Sequence, residues 1–439
     1  MQLKVSVATL TTIAALSLPG IGVPGIARAA TPSALTQQAM SANRAESTAA
    51  IAQLRAQGPQ GLQRFLDTYS KGLNAPTSPD RQRLRATLDQ ICEQRDCYAS
   101  RLYWYTDFTQ AKAAAQKSGK PILSLRLLGN LDDELSCANS RFFRVALYAN
   151  ADISQYLRDR YILHWQSVRP APKITIDFGN GRKLERTITG NSIHYIVNAT
   201  GQPIDALPGL YGPQAFLRHL QQAETTAQAF ARLKGADSAT FLRQYHQDQL
   251  ATMQASWAAD LAKLGITLPT IAPIASITAP TAEEASRLAM SKMVLEAPLV
   301  RMVSSNRRAL EKATDEATAW TKLAELHAAD ARLDNSSKTL MRNKNLAYAV
   351  SNQKATDSDP LVAIVRNFES TMALDTVRNE YLLRGEIHKW FVSPNQPKDL
   401  EALNQRVYIQ LFLTPNSDPW LGLAPENAYS AIENDGIAK

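Results

Sequence analysis

Between residues 107 and 222 the hydrophobic spacing switches repeatedly from a helical to a strand-like period, and that alternation limits the folds open to the chain. DFTQAKAAAQKSG carries apolar residues at helical intervals and stops at Gly119. Lys120-Pro121 follows, then ILSLRLL, an apolar run short enough for a buried strand. After the loop GNLDDEL, Cys137 opens a helical stretch, ANSRFFRVALY. DISQYLRDR reads as another helix with Asp152 as its N-cap, and YILHWQSV as a second strand. KITIDFGNGRKLERTI predicts a hairpin turning at Asn180-Gly181, and SIHYIVNATGQPIDAL one turning at Ala199-Thr200-Gly201. GPQAFLRHLQQA closes the segment as a helix with Pro213 in its first turn. This order of helices, strands and hairpins predicts an α/β unit, a mixed sheet with flanking helices.

The flanks read differently. STAAIAQLRAQG, GPQGLQRFLDTYSKG and DRQRLRATLDQICEQ predict a helical region over 31–103, with a turn at NAPTSPD. It holds no catalytic constellation, and packing against the next domain is its expected role. Residues 224 to about 265 are helical and alanine-rich, and LGITLPTIAPIASITAP reads as a linker. Thr281 to Glu284 form a capping box that starts further helices, which dominate to about residue 390. The aromatic and leucine-rich stretch with Tyr408, Leu411, Phe412, Leu413 and Trp420 is expected to dock as core rather than to face a partner.

At the other end, MQLK precedes an uncharged apolar core broken by Pro19, Gly20, Gly22, Pro24 and Gly25, then a small-x-small pattern at Ala27-Arg28-Ala29. Residues 1–30 therefore read as a cleaved export signal. No later segment has about 18 consecutive apolar residues. The expectation is a periplasmic or secreted chain without stable membrane insertion after cleavage. About 410 residues remain, enough for two or three domains. Loss of Lys4 and Arg28 lowers the net charge from +8 to +6 (8 − 2), spread along the chain, which gives no case for nucleic acid. The organisation is then 1–30 signal, 31–103 helical, 104–223 α/β, and 224–439 mostly helical.

An exported chain meets oxidising conditions, and three cysteines cannot all pair internally. On a continuous helix Cys92 and Cys97 would face about 140° apart, poor for bridging. A turn between them would permit a local disulfide, the expected pairing, and would leave Cys137 free.

Several residues of 104–223 form a set: Trp104, Asp107 to Ala111 ahead of a helix, and Gly119-Lys120-Pro121 before the first core strand. Cys137 between that strand and the next helix belongs to it. So do the segment from Gly190 to Asn198 and the turn Gly201-Gln202-Pro203-Ile204. Together they resemble the thioredoxin superfamily. The resemblance implies a thioredoxin-like domain embedded between helical regions, with Cys137 in the place of the Cys-x-x-Cys motif. Ser140 then stands where the resolving cysteine would be, and Ser192 where the cis-proline would be. No tryptophan precedes Cys137, and the loop from Leu128 is longer than usual.

At a helix start, unpaired N–H groups and the helix dipole favour a thiolate. Arg141 and Arg144 would assist, Asp132, Asp133 and Glu134 would oppose, and Ser140 lies at a spacing to donate to the sulfur. Cys137, assisted by Ser140, is the candidate nucleophile. A lone thiolate forms mixed disulfides, and its release needs the substrate's own thiol or a small thiol reductant such as glutathione. Cys92 or Cys97 would resolve it only if folding brought them near. A Cys-x-x-Ser site thus suits isomerisation or capture of proteins bearing thiols or disulfides, with no cofactor. Peroxide reduction through a sulfenic acid is a lesser option. The alternative is a non-catalytic thioredoxin-fold scaffold for protein–protein interaction, with Cys137 as an inert small hydrophobe.

Other groups carry less. His194, two residues past Ser192, is an accessory base only if it neighbours Cys137; otherwise it and His164 are strand histidines bonded to backbone. Glu386 and His388 lack a second histidine at ligand spacing, so no metal is implied. Gly179-Asn180-Gly181 is a turn without a following phosphate cradle, and Ser370 lacks a hydrolase elbow.

Overall fold

The seven residues of β1 (Ile122–Leu128) are all buried, as a central strand requires. This computed structural model describes residues 33–75, 78–187, 190–265, 319–344 and 360–414. β2 (Ile162–Arg169) lies parallel to β1, with Trp165 beside Leu125. β5 (Ile193–Val197) lies antiparallel on the other side, with His194 beside Leu125. β6 (Pro203–Pro208) completes a four-stranded mixed sheet of order β2-β1-β5-β6. The parallel pair needs a crossover. It is made by α7 (Ala138–Phe142), a π-helical turn (Phe143–Leu147) and α8 (Ala151–Arg160). β5 and β6 need only a turn, in which Asn198 Oδ1 accepts from the Thr200 and Gln202 amides and Gly201 takes φ 95°. β3 (Lys173–Asp177) and β4 (Lys183–Thr187) form a separate hairpin across Asn180-Gly181, as the sequence predicts.

Alternation along the strands puts Ser124, Arg126, His164 and Tyr195 on one face and Leu125, Trp165 and His194 on the other. On the first face α6 (Phe108–Ser118) sets Phe108 against His164, ring centroids 4.9 Å apart. On the second α9 (Pro213–Phe230) sets Phe216 against His194 at 5.0 Å. α6 starts at Asp107, whose Oδ1 accepts from the Thr109 and Gln110 amides, and stops at Gly119. One cap differs from expectation. α8 is capped by Asn150, which accepts from the Ile153 amide, and Asp152 falls inside the first turn, where its charge complements the dipole.

The N-terminal helices α1 (Ala34–Ala39), α2 (Arg44–Ala56), α3 (Pro59–Asn74), α4 (Arg81–Cys92) and α5 (Cys97–Ser100) enclose a smaller core around Leu54, Phe65, Leu88 and Ile91. α2 and α3 cross so closely that a Cβ at Gly61 would meet the Leu54 carbonyl. Tyr103 joins this core, while Leu102 and Trp104 join that of the sheet. α4 ends at Cys92 and α5 begins at Cys97. Between them Glu93 (φ 53°) and Asp96 (φ 63°) reverse the chain, which brings the two sulfurs to bonding distance with Cα atoms 6.3 Å apart. This is the turn that the pairing needed.

The C-terminal helices share the core of the sheet rather than forming one of their own. They comprise α10 (Ala236–Leu264), residues 319–326, Asn335–Lys344, Pro360–Arg378, Gly385–Val392 and Leu400–Arg406, the last continued by a π-helical turn (Val407–Leu411). Two charges buried in the sheet take their partners from them. Arg126 in β1 pairs with Glu401. Asp205 in β6 accepts from Arg384 Nη2 at 3.0 Å and from the Tyr245 hydroxyl at 2.6 Å. Burial, the largest single influence, would raise the Asp205 pKa, but Arg384, His388, His246 and the Tyr245 hydrogen bond together outweigh it and hold the carboxyl well below its usual range. The expected export signal, linker and Thr281–Glu284 capping box, and Trp420, lie outside the described residues.

Breaking the Asp205–Arg384 pair leaves a carboxylate without its counter-ion inside the core. Arg384→Met should therefore cost about 3–5 kcal/mol in urea unfolding. Arg384→Met combined with Asp205→Asn should recover part of that loss.

Candidate functional site

Cys137 sits at the boundary between loop and α7, with φ −57° and ψ 157°. Its amide donates to the Leu128 carbonyl at 3.1 Å, which ties the turn to the end of β1. Its own carbonyl accepts the first helical bond, from the Arg141 amide at 3.2 Å. Because β5 runs antiparallel to β1, the start of β5 lies beside the end of β1, and the two segments meet. Ser192 Oγ lies 3.0 Å from Cys137 Sγ. Neither residue has exposed surface, and Cys137 counts among the core side chains.

The C-terminal segment closes this corner. The Tyr408 hydroxyl donates to the Asn191 carbonyl at 3.0 Å. Asn191 Nδ2 donates to Thr414 Oγ1 at 2.7 Å and to the Phe412 carbonyl at 3.3 Å. One helical turn earlier, Asn404 Oδ1 accepts from the Tyr195 hydroxyl at 3.2 Å. Burial pushes the Tyr148 and Tyr408 phenols well above their ordinary pKa, and the neighbouring Cys137 adds to the rise of both. The sulfur thus lies between two aromatic rings, a hydroxyl and the apolar core.

The residues singled out from sequence fall in unexpected places. Ser140 does not reach the sulfur. Its hydroxyl is taken up by Ser136 Oγ at 2.7 Å and by the Cys137 carbonyl at 2.8 Å, the local back-bonding common for serine near a helix start. Ser192 makes the contact instead. Arg141 is partly exposed, and Arg144 is buried, donating to the Leu131 and Asp133 carbonyls at 3.3 and 2.8 Å. Arg144 therefore braces the loop ahead of Cys137 rather than facing the thiol. Two of the acidic residues of that loop are engaged elsewhere: Glu134 with Arg95 and Lys344, and Asp133 with Lys173.

His194 bonds the Tyr148 hydroxyl through Nε2 at 2.7 Å and packs among Phe143, Tyr148 and Phe216. Its hydrogen bond goes to Tyr148, not to the sulfur, and burial pushes its pKa down to about 3. His164 bonds Ser124 Oγ at 2.9 Å and is also pushed to about 3, by burial first and then by Arg126. Both histidines bond side chains where backbone was expected. His388 does have a histidine neighbour, far away in sequence: it is hydrogen-bonded to His246 inside the core. Among the described residues no three His, Cys, Asp or Glu side chains converge as metal ligands. Cys92 and Cys97, bonded to each other, leave Cys137 as the free thiol.

Sequence reading missed the residues that cover the corner: Glu401, Asn404, Tyr408 and Thr414. The signal for one of them was the aromatic stretch from Tyr408 onward, whose Tyr408, Leu411 and Phe412 are buried as core residues should be.

No protein-family model, curated protein or solved structure matches the chain.

The two strand histidines make stability depend on pH. Each is held neutral in the folded chain down to about pH 3, while in the unfolded chain it takes up a proton near 6.5. Their contribution is complete above pH 6.5 and declines as pH falls from there toward 3. His194→Phe should flatten this decline, read as urea midpoints measured between pH 7 and pH 4.

Proposed function

We propose that the chain is an exported thioredoxin-like protein that acts as a scaffold for protein–protein interaction, with Cys137 built into its core rather than presented to a substrate. The thioredoxin-like part of the reading draws support from connectivity. A free cysteine stands between the first strand and the following helix, facing the segment that the resemblance assigns to the cis-proline loop. An antiparallel hairpin and a closing helix, α9, complete the unit. Export is supported by Cys92 and Cys97 at bonding distance, which suits an oxidising compartment such as the periplasm or the cell exterior. Among the described residues no helix is long and apolar enough to cross a membrane.

One observation carries the scaffold reading: Cys137 has no exposed surface beneath Tyr408 and Ser192. Thiol–disulfide exchange needs the attacking sulfur to reach a disulfide, and a bulky protein substrate cannot enter a closed core. The second reading is monothiol exchange or isomerisation on envelope or secreted proteins through Cys137. It is favoured by the Ser192 hydroxyl at 3.0 Å from the sulfur, at the start of a helix. It requires residues 400–414 to lift from the sheet.

Alkylation kinetics separate the two. In the scaffold, Cys137 labels no faster than the protein unfolds, and Tyr408→Ala, which opens the cover, speeds labelling. Rapid labelling of the intact protein below pH 8, lost in Cys137→Ser, together with mixed disulfides trapped through Cys137, would replace the scaffold with the exchange reading.

A further inference from the structure

Where the N-terminal helices meet the sheet unit there is a cavity of about 230 Å³. Much of its lining is apolar: Leu62 and Leu66 from α3, Leu157 from α8, and Ile162 and Leu163 from β2. Two arginines, Arg101 and Arg158, line it as well, both exposed, and no carboxylate does. The Arg101 guanidinium has no hydrogen bond or ion pair among the described residues. Arg158 Nη1 donates to the Ser100 carbonyl at 2.7 Å. Burial lowers the Arg158 pKa; Asp159 opposes that fall and Arg101 adds to it, so the two guanidinium groups repel each other across the cavity edge. Tyr105 also lines the cavity, and its hydroxyl has no hydrogen-bond partner among the described residues.

The backbone at Arg101 is unusual too. Its φ of 54° is a conformation ordinarily given to glycine. The 2.7 Å bond from its amide to the Cys97 carbonyl holds it there, directly after the turn that Cys92 and Cys97 close. This is the left-handed cap that ends α5, and it sets where the Arg101 side chain leaves the backbone beside the cavity. In addition, α3 begins at this wall with Pro59 and has no side-chain cap, so the positive end of its dipole lies alongside.

We propose that this cavity binds a small apolar monocarboxylate, with its carboxylate held by Arg101 and Arg158 and its hydrocarbon part against the leucines of α3 and α8. Guanidinium groups match carboxylate geometry and gain from a desolvated anion. The volume falls below that of pockets for drug-sized ligands, which limits the acid to a short chain or a single ring. An amine would meet two positive charges, and a neutral alcohol would leave both without a counter-ion. The site is separate from the Cys137 corner, and the inference holds whichever reading of that corner is correct.

The test is calorimetric titration of the full chain with hexanoate and phenylacetate, against hexanol and hexylamine as controls of similar size. The two acids should saturate one site, and the alcohol and amine should bind at least about tenfold more weakly. Arg101→Gln with Arg158→Gln should remove the preference for the acids, and Gln63→Trp, from an exposed position on the wall, should block all binding. Both variants alter exposed side chains, and an unchanged unfolding midpoint would confirm that they fold. Equal binding of hexanol and hexanoate, no saturable binding of either acid at millimolar concentration, or acid binding untouched by the double arginine change would each overturn the proposal.

Discussion

A guanidinium in the middle of a fully buried strand has to be paired, and that obligation shapes the molecule around β1. Arg126 is 1 % exposed, and its carboxylate partner lies 275 residues later, at Glu401. Asp205 repeats the arrangement in β6 with Arg384. Glu401 reaches Arg126 from an exposed position, whereas Asp205 and Arg384 are both enclosed; a pair buried on both sides adds little stability over apolar residues of the same shape, yet losing one partner is severe. Apolar packing is non-directional, so leucines at these positions would allow several helices to dock. The charges specify which helix covers which strand. This explains why the C-terminal helices share the core of the sheet instead of forming a domain apart.

Closure of the thiol corner follows from the same docking. The segment that delivers Glu401 also delivers Asn404, Tyr408, Phe412 and Thr414, within a single short helix and its end. Asn404 binds Tyr195 on β5, and Tyr408 and Thr414 bind Asn191 just ahead of that strand. The burial of Cys137 is therefore not a local property of its helix start. It depends on a covering segment far along the chain, held to the sheet by Asn404, Tyr408 and Thr414 as well as by Glu401.

This division between local and distant causes also decides what could be read in the sequence. β1, both hairpins, α6 with its glycine stop and α9 with its early proline were legible, because each is set by period, capping or turn chemistry within a few residues. The turn joining Cys92 and Cys97 was legible as a requirement. The wrong cap on α8 was a choice between two good capping residues two positions apart, Asn150 and Asp152, which sequence alone does not rank. The spacing of Ser140 suggests the sulfur as its partner, but a hydroxyl at that helical position turns back to the backbone, and Ser192 makes the contact instead. The meeting of residues 137 and 192, or of 126 and 401, leaves no periodic trace. It comes from strand pairing and from helix docking, which are fixed only when the whole chain has folded.

The placement of the three thiols has a consequence for maturation. An unfolded chain with three cysteines can form any of three single bridges, two of which would join Cys137 to the N-terminal helices. In the folded chain two of the sulfurs are five residues apart at one turn and the third is enclosed by the sheet and its cover. Scrambling is then suppressed by geometry, without a chaperone for the odd sulfur. The order of events matters: a bridge made to Cys137 before β1 and β5 pair would take one of the sulfurs from the native turn and keep Cys137 from its place beside Ser192.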